Sequence, residues 1–226
     1  MINKIEVIDF FNKCAPSWDA EMIRDDEIIS EILANAGFNQ SPEAAEAPPA
    51  NPDSKRGLQV LDVACGTGVL FDDYLSHGAG YVLGVDISPE MVKIAQEKYA
   101  DSSAIDVVCA DVMELETSGI SALQLSAPAS GAFDIAMVYN AFPHFPDGAA
   151  LIARLAACLK PGGRLSVAHG MSRAKIDAHH SGSANHVSNG LMPADELAAL
   201  FAPYFDVNVV IDNDRMYQVA GMLRQK

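Results

Sequence analysis

The sequence predicts an α/β domain with a doubly wound, mostly parallel sheet that ends in an antiparallel hairpin. Three observations carry this. Five β-rich runs, at 58–63, 81–85, 105–109, 133–139 and 164–169, alternate with helical patterns, which is the signature of a parallel sheet covered on both faces. The first run passes directly into a glycine-rich turn, and the second ends in an acidic residue. Two further β-rich runs, 205–211 and 215–222, are joined only by Asp212-Asn213-Asp214, a hairpin signal.

Size and composition agree with one globular domain. The 226 residues are 50% apolar, too many for a disordered polymer, and a chain of this length buries a core without disulfide or metal staples. Fifteen Lys and Arg against 30 Asp and Glu give a net charge of −15, with no basic stripe. That balance repels phosphate backbones and anionic lipid, so neither nucleic acid nor a membrane is expected as a partner. Cys14, Cys65, Cys109 and Cys158 form no C-x-x-C pair and read as reduced thiols. With no long apolar segment and no signal-peptide pattern, the expected location is the cytoplasm. No repeat of solenoid period occurs.

The elements follow in chain order. A helix is predicted over about 3–12, where Ile5, Ile8 and Phe11 recur at helical spacing, and a second over about 22–36, ended by Gly37. Ala15-Pro16-Ser17-Trp18 between them reads as a turn with the chain's single tryptophan. Residues 1–38 are therefore assigned to an N-terminal helical cap. The stretch 39–57 holds four of the twelve prolines and almost no large apolar residue, and is read as a flexible connector. The core is assigned to 58–226, with helices at about 69–76, 89–99, 148–159 and 193–201 between its strands. A polar stretch at 170–191, long for a strand-to-helix connection, is a candidate lid; within it 172–180 reads as a short helix.

The chemistry-bearing signals lie at the strand ends. In Val60-Leu61-Asp62-Val63-Ala64-Cys65-Gly66-Thr67-Gly68, the glycines allow a tight turn that exposes N–H groups at a helix start. Such a turn serves either a nucleotide-type ligand or no ligand at all. Eighteen residues beyond Gly68, Asp86 ends the second strand, where a carboxylate accepts from ribose hydroxyls; Ser88 caps the next helix and Pro89 suits its first position. A dinucleotide asks for a third small residue in G-x-G-x-x-G, but Phe71 stands there. S-adenosylmethionine needs no phosphate cradle, and Asp111 with Val112 after the third strand can meet an adenine edge.

The ordered set VLDVACGTG, GVDISPEM, CADV, FDIAMVYNAFPHF and LKPGGRLSVAH resembles the class I S-adenosylmethionine-dependent methyltransferases, from about residue 58 to the C-terminus. The resemblance implies a Rossmann-like methyltransferase fold with a seven-stranded sheet, S-adenosyl-L-methionine as cofactor and S-adenosyl-L-homocysteine as product. It places Asp62, Ala64, Gly66 and Gly68 around the methionine part and Asp86 on the ribose. Ile87 and Met91 go against the adenine, Asp111 and Val112 at its edge, and Asn140 beside the transferring methyl. In this family an N-terminal helical segment commonly covers the cofactor, which puts Trp18 at the site; core packing is the expected role of Phe11. The D/N-P-P-Y/F tetrapeptide typical of amino-group methylation of DNA and protein is replaced by Asn140-Ala141-Phe142-Pro143-His144-Phe145. A small-molecule acceptor is therefore expected.

Methyl transfer is an in-line displacement in which the protein aligns the reactants, excludes water and supplies a base if the acceptor arrives protonated. The candidate catalytic residues are His144 and His169, which follow neighbouring strands, and His180, on the short helix after them. The same histidines admit two other readings, a purely structural role or a metal site; no metal ligand is assigned, because no H-x-x-x-H spacing occurs. A non-catalytic adenosine-type binding module and an NAD-dependent oxidoreductase are the alternatives for function. The acceptor atom (O, N, S or C) and the oligomeric state are not readable from the chain.

Overall fold

The computed structural model describes residues 2–38, 57–114, 131–180 and 185–225; the side chains of His179 and His180 fall outside it, as do residues 39–56 of the connector and 181–184 of the candidate lid. Its helices are α1 (Lys4–Cys14), α2 (Trp18–Glu21), α3 (Asp26–Ala36), α4 (Phe71–Ser76), α5 (Pro89–Lys98), α6 (Gly148–Cys158), α7 (Arg173–His180) and α8 (Ala194–Phe201). Its strands are β1 (Leu58–Val63), β2 (Ala79–Asp86), β3 (Ile105–Cys109), β4 (Phe133–Tyr139), β5 (Leu159–His169), β6 (Phe205–Asp212) and β7 (Tyr217–Leu223).

They form one seven-stranded sheet in the order β3-β2-β1-β4-β5-β7-β6. The first five strands pair in parallel, and β7 enters antiparallel between β5 and β6. This is the expected doubly wound α/β sheet with its C-terminal antiparallel hairpin. Apolar side chains of α3, α4 and α5 bury against one face (Ile32, Leu33, Phe71, Tyr74, Val92), and those of α6, α7 and α8 against the other (Leu151, Leu155, Ile176, Leu197, Phe201). The chain order reverses between β1 and β4, so a crevice opens beyond the carboxyl ends of those two strands.

Local chemistry explains where elements start and stop. The second helix begins at Asp26 and not at Met22, because Asp25 accepts from the N–H groups of Glu27 and Ile28, both at 3.1 Å, leaving Met22 extended. It ends at Gly37, whose φ of 102° lets the Phe38 N–H turn back to the Leu33 carbonyl. In the hairpin, Asn213 Oδ1 accepts from Arg215 N at 2.9 Å and Met216 N at 2.8 Å, a side-chain-closed turn that accounts for the Asp-Asn-Asp signal. Strand β5 starts five residues earlier than expected, running through Pro161-Gly162-Gly163. A Cβ on Gly163 would meet the Phe133 and Asp134 carbonyls at 3.1 and 3.2 Å, so glycine eases this close approach, and the β4/β5 register shifts there.

Phe71 is fully buried in the space between α4 and the sheet. A Cβ on Gly84, in the middle of β2, would come within 2.5 Å of its ring. Close packing of helix on strand is thus obtained by a glycine in the strand, where a dinucleotide fold uses a third glycine in the helix.

Candidate active site

Both strands flanking the reversal end in a left-handed residue that is not glycine: Ala64 after β1, with φ 57°, and Asn140 after β4, with φ 54°. Strained backbone of this kind persists where surrounding contacts fix it, and here they do. Asn140 donates its N–H to the Ala168 carbonyl at 2.9 Å, and its Oδ1 accepts from Gly170 N at 3.0 Å, locking the end of β4 to that of β5. Between the two turns lies a cavity of about 270 Å³ with a mainly apolar wall.

One end of the cavity is a cradle of acidic and backbone groups. Asp86 at the tip of β2 accepts from Gly66 N and Ser88 N, both at 2.8 Å, which ties the glycine turn to the start of α5. Burial raises the Asp86 pKa, and these N–H groups oppose the shift. Asp62 is completely buried at the end of β1, and its Oδ1 has no hydrogen-bond partner among the described residues. Burial pushes its carboxyl up to about 8; the Tyr74 hydroxyl beside it acts downward and the Asp86 charge upward. The space in front of Gly66 is open, since a Cβ there would approach only Trp18 Nε1 and Met91 Sδ, at 3.9 and 4.0 Å. Ile87, Met91 and Val112 form an apolar slot beside these groups, with Asp111 at its edge.

The other end is ring-lined. Phe11 meets Trp18 edge-on at 5.8 Å between centroids and His144 at 5.0 Å; Tyr139 and Phe145 complete the wall. His144 closes the single turn Phe142–His144 after β4, and its Nδ1 lies 2.7 Å from the Val187 carbonyl. A carbonyl only accepts, so Nδ1 carries the proton and Nε2 is the basic nitrogen of the neutral ring. The turn is stitched to the following segment by Asn189, which donates from N to the Pro143 carbonyl at 2.9 Å and from Nδ2 to that of Phe145 at 3.1 Å.

Of the residues expected from sequence, Trp18, Asp62, Ala64, Gly66, Asp86, Ile87, Met91, Asp111, Val112, Asn140 and His144 all line this one cavity. Gly68 does not. With φ 77° it shapes the turn beneath Phe71 and accepts from the Tyr99 hydroxyl, so its contribution is to the backbone course. His169 is also elsewhere: it is directly paired with Tyr217 across β5 and β7 and packs edge-on against that ring at 5.9 Å. Its place at a strand end sets its height on the sheet, but strand alternation puts its side chain on the face shared with Leu165 and Val167. His169 therefore does not line the cavity that His144 lines. The side chain of His180 lies outside the described residues, and among those no group of three or more His, Cys, Asp or Glu is placed to hold a metal.

Several lining residues were not expected. Lys4, Val7 and Phe11 face the cavity from α1, Met22 from the extended segment after α2, and Tyr139, Phe145 and Asp147 from the exit of β4. The signal for the first three was present: positions 4, 7 and 11 share a face of one helix.

These groups fit the cofactor that the sequence resemblance implies. The unpartnered Asp62 oxygen suits an ammonium, the Asp86 carboxylate suits vicinal hydroxyls, and the slot above Ile87 and Met91 suits a purine. Comparison with known proteins points the same way. A family model described as a methyltransferase domain matches residues 60–163. A ubiquinone biosynthesis O-methyltransferase of Xanthomonas oryzae pv. oryzae is 35% identical over 109 residues, 48% of this chain and 41% of that protein. The match thus spans about two fifths of the length of that relative. Among solved structures, N-methyltransferase NodS from Bradyrhizobium japonicum WM9, in complex with S-adenosyl-L-homocysteine, gives a TM-score of 0.67 at 12% identity, over 99% of this chain and 100% of that one. The [4+2]-cyclase SpnF gives 0.62 at 19%, over 92% and 75%. At such identities the likeness is one of fold, and a cyclase among these neighbours shows why the reaction must be argued from the site. No helix among the described residues is long and apolar enough to cross a membrane.

Proposed function

We propose that this chain, whose residues 60–163 match a family model described as a methyltransferase domain, is a class I S-adenosylmethionine-dependent methyltransferase that transfers a methyl group to a hydroxyl of a small, largely apolar acceptor, with His144 as the base. The observation that carries the reading is the placement of His144, held by the Val187 carbonyl, in the same cavity as the Asp62, Gly66 and Asp86 cradle.

S-adenosylmethionine, when bound, supplies an electrophilic methyl on a sulfonium. Asp62 and the turn at Ala64 to Gly66 hold its methionine part, Asp86 accepts from its ribose hydroxyls, and Ile87, Met91, Asp111 and Val112 receive its adenine. Asn140 fixes the exit of β4 beside the transfer point, and the side chains of Asp86, Asp111 and Asp147 lining the cavity favour a cationic ligand. Phe11, Trp18, Tyr139 and Phe145 exclude water and flank a flat acceptor, while His144 Nε2 takes the proton from its hydroxyl. Hydroxyl attack is favoured because an oriented base is present, and because the curated relative is named as an O-methyltransferase. The net charge of −15 keeps nucleic acid out of the reading, and the four free thiols support a cytoplasmic setting.

The test is a screen of phenols, alcohols, amines and thiols for S-adenosylhomocysteine release, repeated with His144→Gln. On the best hydroxyl acceptor, the variant should bind S-adenosylhomocysteine normally and lose about 10²- to 10⁴-fold in kcat, with the acid limb of the pH profile removed. Turnover within threefold of the unaltered protein rules His144 out as the base. Cofactor binding with no turnover on any acceptor favours a binding module.

A further inference from the structure

The ring-lined end of the cavity and its acidic end are bridged by α1. Lys4, Val7 and Phe11 lie on one face of that helix, and all three line the cavity. At a rise of about 1.5 Å per residue, Lys4 and Phe11 stand about 10 Å apart along the axis, enough to span it. At one end Lys4 Nζ lies 2.7 Å from Asp111 Oδ2 and 2.6 Å from Glu114 Oε1. At the other, Phe11 rests against Trp18 and His144. Lys4 is the only Lys or Arg lining the cavity among the described residues.

α1 is held mainly by partly buried contacts. Its one buried side chain is Val7, in a small cluster with Ile2 and Val187 against which Phe10, Phe11 and Ile87 pack, and its Asn12 Oδ1 accepts from Ser88 Oγ, the N-cap of α5, at 2.7 Å. An element with few fully buried side chains opens more easily than the core, and the polar contacts at its ends help to set its position. Asp111 is the residue on which Lys4 closes. Its Oδ1 takes Met113 N at 2.9 Å and its Oδ2 takes Lys4, which leaves each oxygen one further lone pair for a donor in the adenine slot.

We propose that Lys4 is a positioning residue: its ion pairs with Asp111 and Glu114 latch α1 over the cavity, so that occupancy of the adenine end sets where Phe11 stands in the acceptor chamber. The ligand that works the latch is an adenosine-bearing one, whose amino group shares the Asp111 carboxylate with the lysine. This rests on the methyltransferase reading for the identity of that ligand.

S-adenosylhomocysteine is the probe and Trp18, the single tryptophan, is the reporter. In the full chain, adding the probe should shift Trp18 emission, slow amide exchange across residues 4–14, and bind more weakly as salt is raised, since the pairs are partly exposed. Lys4→Met should weaken the probe about 3- to 5-fold, flatten the salt dependence and abolish the slowing of α1 exchange, the size expected for exposed ion pairs. Lys4→Arg should restore most of the affinity, and Glu114→Gln should give a smaller change in the same direction. Equal probe affinity and equal α1 protection in Lys4→Met overturn the latch. Failure of the unaltered chain to bind the probe overturns the cofactor assignment itself, and the latch with it.

Discussion

The floor of the cavity is made by the ends of β1, β2 and β4, and its roof by α1, which packs on the single turn Asn185–Val187. Under the floor, β1, β2 and β4 contribute buried side chains to the core on both faces of the sheet, and the turns are closed by backbone N–H groups donating to the side chains of Asp86 and Asn140. The roof has three buried apolar residues, Ile2, Val7 and Val187, and is otherwise held by the partly buried rings of Phe10 and Phe11, by surface ion pairs and by Asn12. α3 shows that the difference is not one of helix type. It buries five apolar side chains, and the carbonyls near its C-terminus, those of Asn35 and Ala36, are capped by Arg164 at 3.0 and 3.1 Å, while Gln218 donates to Ile32 O from inside the sheet. α3 is therefore part of the floor's foundation although it precedes the connector, and of the three N-terminal helices α1 and α2 are the ones that line the cavity. A rigid floor can hold a cofactor in one pose, and a lightly held roof can admit it.

The largest effect should come from the floor. Asp86→Ala removes the acceptor of two buried N–H groups as well as the ribose carboxylate, and each N–H left unpaired costs about 1–3 kcal/mol. Affinity for S-adenosylhomocysteine, measured by calorimetry, should fall more than about 100-fold, with a drop in Tm. A change below tenfold in affinity means that the glycine turn holds its shape without Asp86, and the floor is then less dependent on that carboxylate than its geometry says.

Asp62 sharpens the contrast by setting stability against binding. Its folded pKa of about 8 lies above the ordinary 3.8, so between about pH 4 and 8 the folded chain keeps a proton that the unfolded chain has lost. Stability conferred by this site is thus fully present below pH 4 and is lost as pH rises through 8. Asp62→Asn removes that loss: at pH 8 the ligand-free variant should be more stable than the parent by about 1–3 kcal/mol, with a gain that shrinks toward pH 5. At pH 8, where the parent carboxyl can ionise, its affinity for S-adenosylhomocysteine should fall about tenfold, because the amide cannot pair with an ammonium. Parallel melting curves at both pH values for the two proteins would show that the carboxyl is ionised in the folded chain.

The floor was also the part legible in the sequence. Strand alternation, the Gly66 turn, Asp86 eighteen residues past Gly68 and the Ser88-Pro89 helix start are local patterns, and each fell where it was expected. What sequence could not fix was the facing of side chains at strand ends: His169 and His144 look equivalent along the chain, and only the pairing of His169 with Tyr217 separates them. Nor could it fix contacts between distant segments, such as Lys4 with Asp111 or His144 with Val187, which depend on how α1 and the turn at 185–187 lie across the strand ends. Phe11 illustrates the limit. Its helical spacing announced a buried face, but whether that face met core or cavity was decided by the tertiary fold.

The smallest effect, and the most direct probe of the roof, is Val7→Ala compared with Leu155→Ala. Leu155 is fully buried on α6 within the larger core, and its truncation should cost about 2–5 kcal/mol of global stability. Val7 is one of only three buried residues in a small cluster beside the cavity, so the void left by its two methyl groups can be filled by solvent or by motion of α1. Its truncation should cost no more than about 1 kcal/mol and move Tm by a few degrees at most. Yet amide exchange over residues 4–14 should quicken severalfold, while that of β1 and β4 stays unchanged, because α1 opens without the sheet unfolding. If Val7→Ala instead lowers Tm as far as Leu155→Ala, with exchange rising across the whole sheet, then roof and floor unfold as one unit and α1 is a structural helix of the core.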